Sequence, residues 1–359
     1  MKYSGFIFTA AIAALMIFSP EGNACTNFLV TKGASADGST MITYAADSHI
    51  RYGELYYTPA ADWPAGSTRT CFDRGTNKPR GVIPQPPHTY KVVGYINENQ
   101  VAMGETPFGG RDELIDETAI VDYGSLMFIA LERSRSAREA IQVIADLVEN
   151  YGYGSSGESF SISDKEEVWY KEIIAKAYKE NVDGDGNKYN ADKGALWVAI
   201  RIPDGYVSGH ANAARITTFP LRDGKRSITD KDWKKLYNKE VEVIYKSDII
   251  AYAREKGYFS GKNDSEFDFS AAFAPVDFGA ARICDLRVWS MFNEVCDDMD
   301  KWWDYATGKD LSVRMPLYVK PNRKITLSDM RHFMRNYLQG TPLDKSKGEG
   351  AGEFGSTIR

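Results

Sequence analysis

The amino-acid sequence predicts an α+β fold, in which paired strands and groups of helices occupy separate stretches of the chain. Strand-like segments come first, at residues 26–45 and 90–105. Two helical segments follow, then more strands between residues 159 and 208, and then helices again. Runs of strands followed by runs of helices are typical of α+β proteins, whereas regular alternation of the two would indicate a parallel sheet.

The first strands form two predicted hairpins separated by an irregular stretch. Residues 26–31 and 39–45 are rich in Thr, Ile, Val and Tyr and flank a Gly-containing turn, which predicts a hairpin. Residues 90–97 and 100–105 predict a second one. Between them, residues 54–87 are punctuated by Pro and Gly and carry several aromatic residues. Long irregular loops of this kind are often functional, and this one is placed to wall a substrate cleft.

Helices are predicted from apolar spacing and end signals. Residues 123–133 form the first, and Ser136 with Glu139 makes a capping box that starts the second. Further helices are expected in the charged stretch 230–257 and at 285–299. The last helix is predicted over 328–338, with Ser328 as its cap and Gly340 as its stop.

The amino terminus has the organisation of a secretory signal. Lys2 precedes an apolar run at 6–18 that is too short for a permanent span, and Gly22 and Ala24 occupy the −3 and −1 positions of a cut before Cys25. We therefore expect signal peptidase to process the chain, and the mature protein to be periplasmic or extracellular. The alternatives are an uncleaved anchor and lipidation of Cys25, for which Gly22 is a poor fit. No later stretch is apolar enough for a membrane span.

The expected organisation is a signal peptide at 1–24, one catalytic domain at 25–340 with a charged helical segment at about 228–320, and a polar tail at 341–359. We expect this tail to be flexible. The alternative is that the sequence ends here before the natural chain does. A net charge of −5 argues against nucleic acid as a partner. The sequence does not indicate an oligomeric state.

Four cysteines remain to be placed: Cys25, Cys71, Cys284 and Cys296. Export permits disulfides, and Cys284 and Cys296 are close enough in sequence to pair across a turn. Buried free thiols are an equally good interpretation of the last three cysteines.

Common catalytic signatures are missing from the sequence. There is no G-x-S-x-G elbow, zinc motif, phosphate loop or dinucleotide fingerprint, so neither a metal nor a cofactor is predicted. A Cys–His pair could use Cys25 with His210 or His49, although a lone histidine is more often structural.

Cys25 stands out because a cut before it would place a thiol and a free α-amine on the same residue. The amine has an ordinary pKa of about 8, so part of it is unprotonated at neutral pH and can accept the thiol proton. An amino-terminal amine that activates its own side chain is a known form of the nucleophile–base pair. No histidine is then required.

Several blocks of sequence resemble the N-terminal-nucleophile dipeptidases, the group that includes peptidase D, dipeptidase A and secernin-like proteins. The resemblance begins at Cys25-Thr-Asn-Phe-Leu-Val and continues, in order, through most of the chain up to Phe219. Its further blocks are Asp37-Gly-Ser-Thr-Met-Ile with Asp47-Ser48, Gly104-Glu-Thr-Pro-Phe-Gly-Gly-Arg111, Glu158 to Asp164 with Glu167 to Glu172, and Trp197 to Asp204 with Ser208 to Asn212.

The resemblance implies an αββα sandwich and metal-free hydrolysis of short peptides, chiefly dipeptides, by a Cys25 thioester. It implies that Asp47 orients the terminal amine and that Asn212 donates to the oxyanion. Many relatives carry Arg where this chain has Tyr44, so a cationic contact to Cys25 is missing or comes from elsewhere. Tyr44 is a candidate for contact with substrate. Glu105 and Arg111 could bind a substrate terminus, or form an ordinary surface ion pair.

Residues 181–192 contain a weak calcium-loop pattern. Asp183 and Asp185 fall at positions 3 and 5, and Asp192 stands at position 12 where Glu is usual. A solvated hairpin turn explains the same residues.

Two other functions fit the sequence. The same site could hydrolyse non-peptide amides, such as bile-salt conjugates or penicillin side chains. A surface binding protein that kept the fold without the catalysis is the alternative of another class, suggested by Tyr44 and the aromatic loop.

Overall fold

The computed structural model describes residues 25–47, 53–186 and 188–348. The expected signal peptide, His49 and residues 349–359 lie outside them. The strands, in chain order, are β1 Cys25–Val30, β2 Met41–Ile42, β3 Ala45–Ala46, β4 Tyr57–Thr58, β5 Ala61–Asp62, β6 Thr68–Phe72, β7 Pro79–Pro84, β8 His88–Thr89, β9 Val92–Val93, β10 Ile96–Asn97, β11 Ala102–Phe108, β12 Gly157–Ser163, β13 Val168–Ala175, β14 Glu180–Val182, β15 Lys188–Asn190, β16 Ala195–Arg201, β17 Val207–His210, β18 Ser227–Thr229, β19 Val243–Tyr245 and β20 Tyr318–Val319.

The α-helices of the described residues fall in two stretches of the chain, between β11 and β12 and after β19. In chain order they are α1 Tyr123–Arg133, α2 Ala137–Tyr151, α3 Ile249–Glu255, α4 Phe269–Phe273, α5 Leu286–Val295, α6 Trp303–Ala306 and α7 Leu327–Phe333. Short 3-10 turns lie at Asp112–Leu114, Trp233–Lys235, Asp264–Glu266 and Met299–Trp302, and a π-helical segment, Ala280–Asp285, leads into α5. No helix among the described residues is both long and apolar enough to cross a membrane.

Two sheets dominate the described structure, which agrees with the predicted α+β class. The larger has nine strands in the order β18-β19-β16-β13-β12-β11-β10-β9-β4, antiparallel except for the β18–β19 pair. In the smaller, β1 lies between β2 and β17, with β20 beyond β17 and β3 also paired to β1. Three two-stranded ribbons, β5–β8, β6–β7 and β14–β15, complete the sheets of the described residues.

Side-chain alternation along the strands separates three apolar clusters. Phe160 and Ile162 of β12 pack in a cluster with α1 and α2 on one face of the large sheet. Phe28 and Val30 of β1 pack in a second cluster that includes the apolar face of α5. Leu29, which points the other way along β1, belongs to the third, with residues of β13 and β16. A strand that buries both of its faces in this way is held in a fixed register.

Most predicted elements are confirmed, including β1, α1, α2 and the strands between 157 and 210. The side chain of Ser136 does cap α2 by accepting from the Glu139 N–H. The predicted strand 39–45 is shorter than expected, and only β2 and β3 pair with β1 there. The stretch 54–87 is less irregular than predicted, because Thr68–Phe72 and Pro79–Pro84 pair as a hairpin whose strand ends tolerate proline.

The second half of the chain requires larger corrections. The predicted helix at 230–257 is wrong for most of its length, because Val243–Tyr245 is a buried strand and only Ile249–Glu255 is α-helical. The last helix is capped by Thr326, which forms a reciprocal capping box with Asp329, and so begins before the predicted Ser328. Residues 341–348 are not a free tail, since Leu343 and Asp344 are buried.

Candidate active site

Cys25 is the first residue of β1 and is 3% exposed. It pairs with Ala46 of β3, and the next inward-facing residue, Asn27, donates its amide to the main-chain oxygen of Glu105 at 2.7 Å. Strand pairing on one side and this amide bond on the other fix where the thiol points. The side chain chosen as the candidate nucleophile is therefore held between the two sheets.

Asn212 lies just after β17 and faces Cys25. Its Oδ1 accepts a hydrogen bond from the Cys25 backbone nitrogen at 2.7 Å, while its Nδ2 donates to the Pro107 oxygen at 2.7 Å. Its φ of 61° lies in the left-handed region, which Asn adopts more readily than most residues. The sequence placed Asn212 at the site as an oxyanion donor. In the structure its donor group is used by Pro107, and the oxygen is the atom it presents to Cys25.

Arg287 is the site residue that the sequence interpretation missed. Its Nη1 donates to the Cys25 carbonyl oxygen and to Thr26 Oγ1, both at 2.7 Å. Its Nη2 donates to Asn212 Oδ1 at 2.9 Å and to the Ala211 oxygen at 3.0 Å. The guanidinium thus bridges the strand that carries the thiol and the loop that carries the amide. It supplies the cationic contact to Cys25 that Tyr44 does not.

No sequence motif marks Arg287, because it belongs to the first turn of an ordinary amphipathic helix. The only available signal was the expectation of a cation near Cys25. Its position follows from packing: Leu286 and Val288 are buried in the cluster that also holds Phe28. The preceding π-helical segment shifts the phase of the helix, and such segments often lie at functional sites.

Burial and the acidic residues around Cys25 make the thiol a weak acid. Burial is the main cause that raises its pKa far above the ordinary value, followed by the charges of Glu105, Glu158 and Asp47. The Asp47 backbone acts in the opposite direction and lowers this pKa. The side chain of Asp47 is exposed, and its role in orienting the terminal amine stays a prediction. A thiol in these surroundings needs a base to ionise it.

Tyr44 and Glu105 form a bonded pair beside this site. The Tyr44 hydroxyl donates to Glu105 Oε1, and its ring packs edge-on against Tyr95 at 4.7 Å between centroids. Burial and the Glu105 charge raise the pKa of Tyr44 well above its ordinary value, so the hydroxyl stays a neutral donor. Glu105 is 4% exposed, which excludes the surface ion pair that was the alternative for it.

Arg111 does not join this group. Its Nε donates to the Ala272 oxygen at 2.7 Å, its guanidinium stacks on Tyr258 at 3.7 Å from the ring centroid, and its Nη1 lies 3.8 Å from Glu113. These contacts tie the turn after β11 to α4. The ordinary surface ion pair that was the alternative for Arg111 is therefore formed with Glu113.

His210 has a structural role in the interior. Its ring nitrogens contact Thr106 Oγ1 and Ser161 Oγ, each at 2.6 Å, and so join the two sheets. Burial, followed by the charges of Arg215 and Arg287, lowers its pKa well below the ordinary value. Both nitrogens are occupied, so His210 is not available as a base for Cys25.

The remaining residues proposed as sites from the sequence make local structural contacts instead. Strands β14 and β15 form a hairpin around the predicted calcium loop, and the Asp192 carboxylate accepts from Lys176 Nζ at 2.6 Å. Asp183 Oδ1 accepts from the Asp185 N–H at 2.9 Å, as in an ordinary turn. All four cysteines are free thiols, so the Cys284–Cys296 disulfide is not formed.

Comparison with known proteins finds a peptidase family and several dipeptidases. A model of peptidase family C69 matches residues 24–61 and 52–359. A probable dipeptidase of Salmonella dublin is 22% identical over 356 residues, which cover 93% of this chain and 71% of the relative. A dipeptidase of Bifidobacterium longum (strain NCC 2705) is 25% identical, covering 89% and 60%. Dipeptidase A of Lactobacillus helveticus is 24% identical, covering 93% and 66%. The chain thus spans about two thirds of the length of these relatives.

Proposed function

Because the chain belongs to peptidase family C69, we propose that it is an exported dipeptidase in which Cys25, freed by removal of residues 1–24, acts as an N-terminal nucleophile. The observation that carries the proposal is the hydrogen bond between the Cys25 nitrogen and Asn212 Oδ1, itself held by Arg287. The relatives' names, all dipeptidases, support the choice of substrate. The layered clusters around the two sheets support an αββα sandwich.

In the uncut chain the Cys25 nitrogen is an amide and cannot act as a base. After the cut it becomes an amine that donates one hydrogen to Asn212 Oδ1 and keeps its lone pair. The adjacent Arg287 cation disfavours the ammonium form of this amine. The amine can then take the thiol proton, which offsets the raised pKa that burial and the acidic neighbours impose on Cys25.

The reaction then follows the acyl-enzyme course. The sulfur attacks the peptide carbonyl carbon, and the α-ammonium of Cys25 returns its proton to the leaving amine as the C–N bond breaks. Water attacks the resulting thioester, gives a proton to the α-amine, and releases the acid and the thiol. Asn212 and Arg287 act by positioning the amine and the Cys25 backbone throughout.

The test is to identify the mature terminus by mass spectrometry and to assay dipeptide hydrolysis by the secreted protein. We expect Cys25 as the first residue, and we expect Cys25→Ala to lower kcat/KM by at least about 1000-fold. Cys71→Ala is the matched control, because Cys71 is equally buried but lies in the β6–β7 hairpin. A lipidated Cys25, a terminus elsewhere or an active Cys25→Ala variant would each contradict the mechanism.

The same assay separates the alternatives. An amidase would turn over acylated amino acids or bile-salt and penicillin amides in preference to dipeptides. A binding protein without catalysis would leave Cys25 unlabelled by thiol-reactive substrate analogues while folded. Both would retain the Asn212 and Arg287 contacts, so kinetics rather than geometry decides between them.

A further inference from the structure

Two buried carboxyl groups lie on the same face of the large sheet beside Cys25. Glu105 of β11 opposes Phe160, and Glu158 of β12 opposes Pro107, which makes the two acids diagonal neighbours. They are 4% and 0% exposed, and their carboxyl groups are within hydrogen-bonding reach of each other. We call these two groups the carboxyl pair.

The carboxyl pair is rich in acceptors. In the part of the chain that the structure describes, neither oxygen of Glu158 has a hydrogen-bond donor at ordinary distance and angle, although the Ser159 N–H and the Glu105 carboxyl group lie close enough to act on it. The buried Oδ1 of Asn27, whose amide is bonded to the Glu105 main chain, also lacks a donor there. Buried acceptors without donors are costly and uncommon in folded proteins. A ligand that fits here must bring several N–H or O–H donors.

Contacts from β1 and from Tyr44 place the carboxyl pair beside Cys25, and this position indicates which donor the ligand brings. Asn27, two residues after Cys25 on β1, donates to the Glu105 main-chain oxygen at 2.7 Å, and the Tyr44 hydroxyl donates to Glu105 Oε1. The charges of both carboxylates also raise the pKa of the Cys25 thiol. In a peptide whose first carbonyl is attacked by Cys25, the α-ammonium is separated from that carbon by one Cα atom. An ammonium group offers three donors and a positive charge.

We propose that Glu105 and Glu158 together bind the α-ammonium group of the dipeptide substrate and so set the requirement for a free amino terminus. This inference rests on the proposed function and names the residues of one of its subsites. Two adjacent buried carboxyl groups cannot both be charged, so the free enzyme holds a proton between them. Binding of the ammonium replaces that proton.

Tyr44 fits this arrangement better than a cation would. It holds Glu105 through a neutral hydroxyl, which orients the carboxylate and leaves its charge for the ligand. An arginine or lysine at the same place would pair with Glu105 and remove its attraction for an ammonium group.

Binding can be tested separately from catalysis in full-length protein carrying Cys25→Ala, which leaves substrate intact. Isothermal titration would compare alanyl-alanine with N-acetyl-alanyl-alanine. We expect the free dipeptide to bind about 10- to 100-fold more tightly, and the addition of Glu158→Gln or Glu105→Gln to remove most of this preference. Glu132→Gln is the control, because Glu132 is a buried acid of α1 that pairs with Arg69; it should keep the preference.

Each outcome bears on one proposal. Equal affinity for the two ligands, or a preference that survives in both Glu variants folded as judged by circular dichroism, overturns the ammonium site. Selective binding of the free dipeptide by the carboxyl pair supports it, even if the Cys25 protein hydrolyses no dipeptide. That last result would reject the proposed function alone.

Discussion

The guanidinium of Arg287 donates a hydrogen bond to the carbonyl oxygen of Cys25, a residue 262 positions earlier in the chain. The same group holds Asn212, which accepts from the Cys25 nitrogen. One side chain from α5 therefore controls the backbone on both sides of the candidate nucleophile. Changes at Arg287 should affect catalysis more than they affect folding.

Arg287→Lys should lower kcat about 10- to 100-fold with a smaller change in KM, because an ammonium cannot span Cys25 and Asn212 as the guanidinium does. Steady-state kinetics on dipeptides would measure the change. Arg222→Lys is the control, since Arg222 is half-exposed and pairs with Asp232 away from the site. Wild-type kcat in Arg287→Lys would contradict a positioning role.

Substitutions of Asn212 should separate activity from stability. Glycine accepts the φ of 61°, whereas alanine in the left-handed region costs about 1 kcal/mol. Asn212→Gly and Asn212→Ala should both lose about 100-fold or more in kcat/KM, because both lack the acceptor for the Cys25 amine. Urea unfolding should show Asn212→Ala to be the less stable of the two. If Asn212→Gly stays active, the backbone conformation rather than the amide matters.

Lys171 is a buried lysine whose removal should stabilise the protein. It is 0% exposed, its Nζ lies 3.4 Å from the centroid of the Trp197 ring, and it has no hydrogen-bond acceptor among the described residues. Lys171→Met should raise the free energy of unfolding by about 1–3 kcal/mol at neutral pH. Lys176→Met, which removes the partner of Asp192 and Asp248, should instead lower it.

The Lys171 effect should depend on pH in a defined direction. Burial lowers the pKa of this amine well below its ordinary value. The unfolded chain then binds a proton that the folded one lacks, so the wild type gains stability as pH rises towards the unfolded pKa of about 10.4. The advantage of Lys171→Met should therefore shrink between pH 7 and pH 10. An advantage that does not vary with pH would show that only packing had changed.

Glu172 should give the opposite pH dependence. Burial raises its pKa to about 7, against the hydrogen bonds it accepts from the Arg215 N–H and the Tyr170 hydroxyl. The folded chain keeps a proton that the unfolded one loses above about pH 4.3, so this contribution is lost as pH rises to about 7. Relative to Glu172→Gln, the wild type should lose about 3 kcal/mol between pH 4 and pH 8 in urea unfolding. A constant difference would contradict the raised pKa.

The sequence predicted the elements that carry a strong local signal. The apolar pattern alone predicted strand β1, the capped helix α2 and the buried strands β12, β13 and β16. The same pattern failed for residues 230–257, because Val243–Tyr245 forms a strand by pairing with β16 and β18. Likewise Cys25 could be proposed from its position after a predicted signal, whereas Arg287 is brought to it by tertiary packing alone.

The strand pairing of Cys25 also limits when a cut before this residue could be made. A protease needs an extended, unpaired segment at the bond it cuts, and Cys25 is buried and paired with Ala46 as soon as β1 docks. If the proposed cut before Cys25 is made, it must therefore precede the folding of this part of the chain. Under the proposed mechanism a chain that folds uncut would stay inactive, and the timing of the cut would limit the amount of active enzyme.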